Sequence, residues 1–405
     1  MAQFPRYAPE YRIEINGDVI PTALRASIVR VNYQDGIEGA DRVEIAIANE
    51  GLRWLDHPLL QVDNGFSLSI GYAPDPLEEV FVGEITGVTV AFPNGGMPMV
   101  TVVAHDFLQR LTKGTKDRAF ALNLPCIGKF PLPDPAIATL IGTTNLLIPV
   151  ADDLVGAAVS FLTLLIAYAI DPLEAKNGIR IQQGQSDFDF LSNLAKDNGW
   201  EMFIDHTLKP RGYRLRFKFL ISDFSPSETL KWGESLMDFT PKISTVGQVA
   251  GISTRIWVAS IKTEFVIVLS WDFDRAAFDL MVFPGIDSIE DLLGKKAQGV
   301  LKIQANSPAT APKKLLSELL PRLNERLTAS GSTIGNPSIK ASRVINFDGL
   351  GDQFGGLYRI TSATHTIDSG GYRTQFDARK EVWFGSIPVP KGASGLARVQ
   401  GQSIR

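Results

Sequence analysis

The chain is poor in cysteine and histidine and carries no surplus of charge of either sign. Cys126 stands alone among 405 residues, so no internal disulfide supports the fold and no oxidising compartment is needed. No His or Asp cluster accompanies it, and it reads as a small buried apolar residue. The 40 Lys and Arg against 44 Asp and Glu give a formal charge of −4, which lacks the basic footprint of a sequence-specific nucleic-acid binder. The N-terminus, MAQFPRYAPEYRIEI, holds two prolines and lacks the apolar core of a secretory signal, so synthesis in the cytoplasm is expected.

Long apolar runs are missing too, apart from Leu154 to Ile170 (LVGAAVSFLTLLIAYAI). At 17 residues the run falls short of the roughly 20 that cross a bilayer. It ends at Asp153 and at Asp171-Pro172, with no Lys or Arg flank and no aromatic belt, so no membrane span is expected. A helix buried on all sides within a large assembly and an apolar surface for another component both fit it.

The common signatures of catalysis are also missing. His57, His105, His206 and His365 are scattered, none with a second ligand at metal spacing, and each reads as a turn or strand residue. No G-x-S-x-G elbow, Walker loop or dinucleotide fingerprint occurs, and GDQFGG at Gly351 to Gly356 reads as a turn. Glu78-Glu79 and Asp152-Asp153 are adjacent pairs, and neighbours on a strand point to opposite faces rather than across a substrate. No catalytic residue, cofactor-binding residue or metal ligand is expected, no cofactor, and no enzyme activity.

What is present is strand pattern. From Tyr11 to about Thr112 apolar residues recur with period two: Tyr11, Ile13 and Ile15; Val43, Ile45 and Ile47; Phe66, Leu68 and Ile70. Turn signals at Gly17-Asp18, Asp35-Gly36 and Pro93 to Gly96 separate them, which predicts an antiparallel barrel or sandwich. Between Gln182 and Phe219 the local signals are densest. Ser186 is placed to cap a helix with Asp189 three residues on, Gly199 to close it, and Trp200, Met202 and Ile204 to alternate along a strand that pairs with Leu215, Phe217 and Phe219. A leucine stripe on Lys313 to Ser330 predicts a second helix, kinked or divided at Pro321 and ended by Gly331. A short capped helix is predicted at Ser288 to Lys296.

The fold class expected is mainly β with α+β inserts: two similar antiparallel β-barrel modules, a helix-ribbon domain and an inserted helical and strand segment. The boundaries are 1–112 for the first barrel and 113–229 for the α+β domain with its apolar insert. The second barrel takes 230–260 and 337–386, the insert 261–336, and a C-terminal arm 387–405. The two barrels rest on a repeat. Gly83 to Gly96 (GEITGVTVAFPNGG) lies over Tyr358 to Gly371 (YRITSATHTIDSGG) without a gap, five of fourteen residues being identical. Hairpins of like turn type converge on such similarity, so chance stays open here.

The Ser-Asp-Phe, Phe-Leu, Ala-helix and Gly-aromatic order of Ser186 to Trp200 resembles the baseplate hub proteins of contractile phage tails, the late control protein D family, which is similar to the hub half of VgrG spike proteins. Leu230 to Trp257 and Gly349 to Arg379 match further segments of that family's pattern, and Ala40 to Asp106 matches its opening barrel more weakly. The resemblance implies a homotrimer with six barrel positions around a channel, docking on a six-fold tail tube protein, with a separate spike protein below and baseplate wedge proteins outside. A tape measure protein or cargo would occupy the lumen, and the tail baseplate of a virion or injection particle would be its location. A tail-associated cell-wall hydrolase and a β-rich receptor-binding module are the rival functions.

Overall fold

The computed structural model describes residues 8–124, 128–151, 179–219, 225–244, 251–258, 262–272, 277–284, 300–304 and 311–384. The apolar run 154–170, the capped helix expected at 288–296, Cys126 and the arm 387–405 lie outside the described residues. The chain is mainly β, with several sheets in which antiparallel pairing predominates.

The first module contains β1 (Ala8–Ile15), β2 (Asp18–Val19), α1 (Thr22–Ser27), β3 (Ile28–Gly36), β4 (Arg42–Ala48), β5 (Gly65–Ala73), β6 (Glu78–Ala91) and β7 (Met99–Asp106). Its period-two residues point inward as expected: Ile13, Ile15, Val43, Ile45, Ile47, Phe66, Leu68 and Ile70 share one core. Asp106 then caps a 3-10 turn, its Oδ1 accepting from the Leu108 amide at 2.9 Å.

The helix-ribbon unit follows. It comprises β8 (Lys116–Leu124), β9 (Gly128–Pro131), α2 (Asp134–Thr144), β10 (Ile148–Ala151), β11 (Arg180–Gln185), α3 (Asp187–Asn198), β12 (Trp200–Ile204) and β13 (Arg214–Phe219). The Ser186 hydroxyl accepts from the Asp189 amide at 3.0 Å and donates to its carboxylate at 2.7 Å, while Gly199 takes the left-handed conformation at φ 65°. The ribbon pairs Met202 with Phe217 and Ile204 with Leu215. It has a third strand that was not expected, since β10 pairs in parallel with β13.

The second module begins with β14 (Glu228–Lys231) and β15 (Leu236–Ile243). A four-stranded insert sheet intervenes, of β16 (Gly251–Val258), β17 (Thr263–Asp272), β18 (Ala277–Pro284) and β19 (Val300–Gln304), packed on α4 (Ala311–Asn324). The module resumes with β20 (Leu327–Ile334), β21 (Val344–Asp348), α5 (Gly351–Phe354), β22 (Gly356–Asp368) and β23 (Gly371–Arg379).

Two expectations are corrected here. The insert does not run from 261 to 336, because β16 belongs to the insert sheet and β20 to the main one. Strand alternation at 251–258 says nothing about which sheet receives it, and β17, next in sequence, does. The leucine-striped helix does not reach Ser330. It stops at Asn324, the Glu325 amide bonding the Pro321 carbonyl at 3.0 Å, and Leu327 starts a strand. Leu327 fits both periodicities, so the stripe overran the helix.

The two modules share one topology. The order β3-β4-β7-β6-β5-β1 in the first is matched by β15-β20-β23-β22-β21-β14 in the second. Arg42 opposite His105 in β4/β7 corresponds to Thr328 opposite Arg379 in β20/β23. A register shift between Ile85 and Gly87 recurs between Ile360 and Ser362, and one between Ile28 and Arg30 recurs between Leu236 and Asp238. Bulges are specific local devices, and two at matching places exceed what convergent hairpins would produce. The ungapped superposition of Gly83 to Gly96 on Tyr358 to Gly371 therefore marks a structural repeat. The modules differ at one strand: β1 runs antiparallel to β5, whereas β14 runs parallel to β21.

Among the described residues no strand pairing closes either module into the expected barrel. β22 divides one edge, with Gly356 to Arg359 on β21 and Ser362 to Asp368 on β3, so the modules run on as a single 13-stranded sheet.

Charged groups buried at the base of the second module tie it to the ribbon. Glu381 and Arg359 are almost fully buried and form a two-pronged pair at 2.7 and 3.0 Å. Arg379 reaches both Glu381 and Glu201 of β12, at 3.2 and 2.6 Å. Glu381→Ala removes the carboxylate from the buried Arg359 charge and is expected to cost about 3–5 kcal/mol in chemical denaturation. Asp187, at the start of α3, is buried, which raises its pKa; bonds from Lys116, Asn145 and Gln182 and the charge of Arg118 outweigh this and hold it below the ordinary 3.8. A depressed folded value stabilises above the unfolded one and is lost as pH falls through it. Asp187→Asn should cost about 1–3 kcal/mol at neutral pH, with the deficit shrinking on acidification below the carboxylate range.

Candidate functional site: two free strand edges

Where the modules meet within the chain, β22 lies antiparallel to β3, from Ser362 opposite Gly36 to Asp368 opposite Arg30. Ile367 and Tyr372 enter the core of the first module. The Tyr72 hydroxyl donates to the Gly335 carbonyl at 2.9 Å, the Ala341 amide donates to Asp35 at 2.9 Å, and Lys340 pairs with Glu78 at 2.6 Å. His365 is buried here, with Nδ1 2.8 Å from the Tyr372 hydroxyl and Nε2 3.0 Å from the Ile339 carbonyl. Burial lowers its pKa to about 3, so it is a neutral hydrogen-bonding strut stacked on Tyr33.

The repeat creates the same two edges a second time, and among the described residues no further strand ladders onto them. Among the described residues β6 past Ile85 pairs only with β7, although its counterpart β22 at this point holds β3. Among the described residues β15, the counterpart of β3, forms its ladder with β20, and its first residue, Leu236, also bridges Trp232. Apolar side chains crowd both places. Val88 and Phe92 are exposed beside the β6 edge, and Met237 beside the β15 edge. Phe92 is 61% exposed, while Ile367, its counterpart in the repeat, is 9% exposed because the first module covers it.

The remaining sequence candidates hold local structure. His57 Nδ1 accepts from the Leu59 amide at 3.3 Å, and His105 Nδ1 lies 2.6 Å from the Thr86 hydroxyl. Glu78 and Glu79 pair with Lys340 and Arg211, and Asp152-Asp153 lies outside the described residues. His206 alone is brought beside carboxylates, those of Asp41 and Asp106. A shallow cleft between β8 and α2, lined by Ala119, Ala121, Leu122 and Leu140, has no titratable side chain in its walls. Among the described residues no helix is long and apolar enough to cross a membrane. The edges escaped the sequence reading because a free edge is defined by a missing pairing, which no local pattern records; the repeat was the available signal.

A family model, the Alg8 N-terminal domain, matches residues 163–369, just over half of the chain. The chain belongs to the Alg8 N-terminal domain family. The span matched by the Alg8 N-terminal domain includes α3, β12 and β13 of the ribbon, the described part of the insert and most of the second module. Among curated proteins no sequence matches. The fold is similar to that of the prophage MuSo2 43 kDa tail protein from Shewanella oneidensis, at 12% identity over 93% of this chain and 100% of that one, with a TM-score of 0.61. It is also similar to a tail protein from Neisseria meningitidis MC58, at 12% identity over 94% and 100%, with a TM-score of 0.58. The E. coli c3393 protein, described as a type VI secretion component with structural similarity to T4 tail proteins gp27 and gp5, aligns at 10% identity over 95% and 80%, with a TM-score of 0.55. At these identities the likeness is one of fold.

The edge geometry makes a paired prediction. In dilute, monomeric chain, Phe92→Ala should change unfolding free energy by less than about 0.5 kcal/mol. Ile367→Ala, at the covered counterpart, should cost about 2–5 kcal/mol by the same denaturant titration.

Proposed function

We propose that the chain is the structural, non-enzymatic central hub of a contractile tail or injection apparatus, three copies forming a pseudo-six-fold ring between a hexameric tail tube and a separate spike. The observation that carries this reading is the repeated module with one junction made inside the chain and the matching edges left bare. If β6 of one copy meets β15 of the next as β22 meets β3, modules alternate around a closed ring and strand edges that invite uncontrolled association are hidden. The register of the internal junction, carried over to the repeat, sets Thr89 opposite Lys242 and Ala91 opposite Thr240 of the neighbour. The same register sets Phe92 opposite Phe239, which already packs on the core of the second module, and covers the exposed Phe92 side chain. Pro241 supplies no amide hydrogen to this ladder, which weakens it by at most one bond.

Alternation of two like modules in three chains presents six similar positions, which is what a three-fold object needs to sit on a six-fold tube. The tail fold shared with the Shewanella and Neisseria proteins supports the location at a tail, and the fold shared with the E. coli protein is compatible with a secretion device. Tube, spike and wedge proteins are the partners on this reading.

The test uses full-length chain carrying Thr89→Cys and Lys242→Cys, with Cys126→Ser to leave no other thiol. Solution mass is expected to give three copies, and mild oxidation a non-reducing ladder ending at the trimer, with each single-cysteine control uncross-linked at the ring contact. A monomer at all concentrations, or a ladder ending at the dimer, would sink the ring. Clearing of peptidoglycan by the pure protein would favour the hydrolase instead.

A further inference from the structure

Three ligand-type side chains from distant parts of the chain converge in buried ground between the first module and the ribbon. Asp41 precedes β4, Asp106 ends β7, and the strands bring them side by side: the Asp41 amide donates to Asp106 Oδ2 and the Asp106 amide to the Asp41 carbonyl, each at 3.1 Å. Asp41 also accepts from the Gly36 amide at 3.2 Å and the Tyr33 hydroxyl at 3.1 Å. His206, in the turn after β12, is held flat against Phe81, ring centroids 5.6 Å apart. All three residues are buried, His206 being 5% exposed.

The carboxylates alone would be a structural acid pair, bonded to strand ends. His206 changes this. Neither of its ring nitrogens makes a hydrogen bond, although a buried imidazole without a partner is costly. Its Nε2 points at the carboxylates, 3.4 Å from Asp41 Oδ2 and 4.0 Å from Asp106 Oδ2, and one donor atom from each of the three residues lies within 4.8 Å of the others.

That spacing suits a shared cation. Donor atoms about 2.0–2.2 Å from a tetrahedral ion sit roughly 3.4 Å apart, so the His206 to Asp41 distance needs no change and the His206 to Asp106 distance closes by about half an ångström. Lys340, whose charge reaches Asp41, is itself engaged by Glu78. Two oxygen donors and one imidazole select a divalent transition ion over calcium or magnesium, which prefer oxygen alone.

We propose that Asp41, Asp106 and His206 bind one divalent transition-metal ion, with zinc as the leading candidate, which ties the first module to the ribbon. Three protein donors leave at least one position for water. The ion pins a turn of the ribbon to the ends of β4 and β7, next to the β22/β3 junction. This stands apart from the hub reading, since either can hold without the other.

The untagged full chain is stripped with a chelator, loaded with zinc(II) and gel-filtered. One zinc per chain by elemental analysis is expected, with a higher melting temperature than the stripped chain. X-ray absorption should show a shell of nitrogen and oxygen with one imidazole and no sulfur. His206→Gln should bind zinc on the order of 100-fold more weakly. The proposal is overturned if wild type retains no stoichiometric zinc, if the shell contains the Cys126 sulfur, or if His206→Gln retains zinc equally, which means an adventitious ion only. Should His206→Gln not fold, the wild-type stoichiometry and shell decide alone.

Discussion

The antiparallel contact of β22 with β3 is the interaction on which the rest of the molecule depends. It turns two modules that would each end in an open edge into one sheet, and it places Ile367 and Tyr372 of the second module in the core of the first. A strand that serves two partners along one edge must be long and must bend; β22 and its counterpart β6 both carry a bulge where the second half begins. The bulge redirects the strand out of its own module and toward the next. β6 is built the same way, and among the described residues its second half is paired on the β7 side alone.

The ribbon unit braces this junction. Its Glu201, Lys218 and His206 all enter buried ground beside the two modules: Glu201 bonds Arg379, Lys218 donates to Ser342 at 3.1 Å, and His206 meets Asp41 and Asp106. Buried charge of this kind adds little net stability compared with apolar packing, because desolvation offsets most of the attraction. What it supplies is directionality, since each charge is tolerated in a single arrangement of partners. A protein that must hold two modules and a third unit in fixed relation gains from such contacts.

The insert sheet is placed with equal economy. It occupies the connection between β15 and β20, where the first module has only the Ile37 to Asp41 turn between β3 and β4. An addition at a turn leaves the ladder on either side in register, and the bulge between Leu236 and Asp238 matches its counterpart despite it. Insertions at loops cost little closure entropy, so a module can be elaborated there without weakening the sheet that joins it to its twin.

Much of the local architecture was legible in the residues. Period-two alternation gave the strands of the first module, the Ser186 and Gly199 signals gave both ends of α3, and the superposed hairpins gave the repeat, because each is written in neighbours within a turn or a strand's length. Where two periodicities coincided, at Leu327, the local signal was ambiguous and tertiary pairing chose the strand. Which sheet receives β16, how β10 joins the ribbon, and which edges stay bare depend on partners far away along the chain. Asp41, Asp106 and His206 carry no mutual spacing that marks them as a set; only the folding of the ribbon onto the first module brings them together. Sequence determined the elements, since backbone and side-chain preferences act over a few residues. Tertiary structure alone decided their neighbours, since hydrogen-bonded edges and buried charges are satisfied by whatever the completed fold brings within reach.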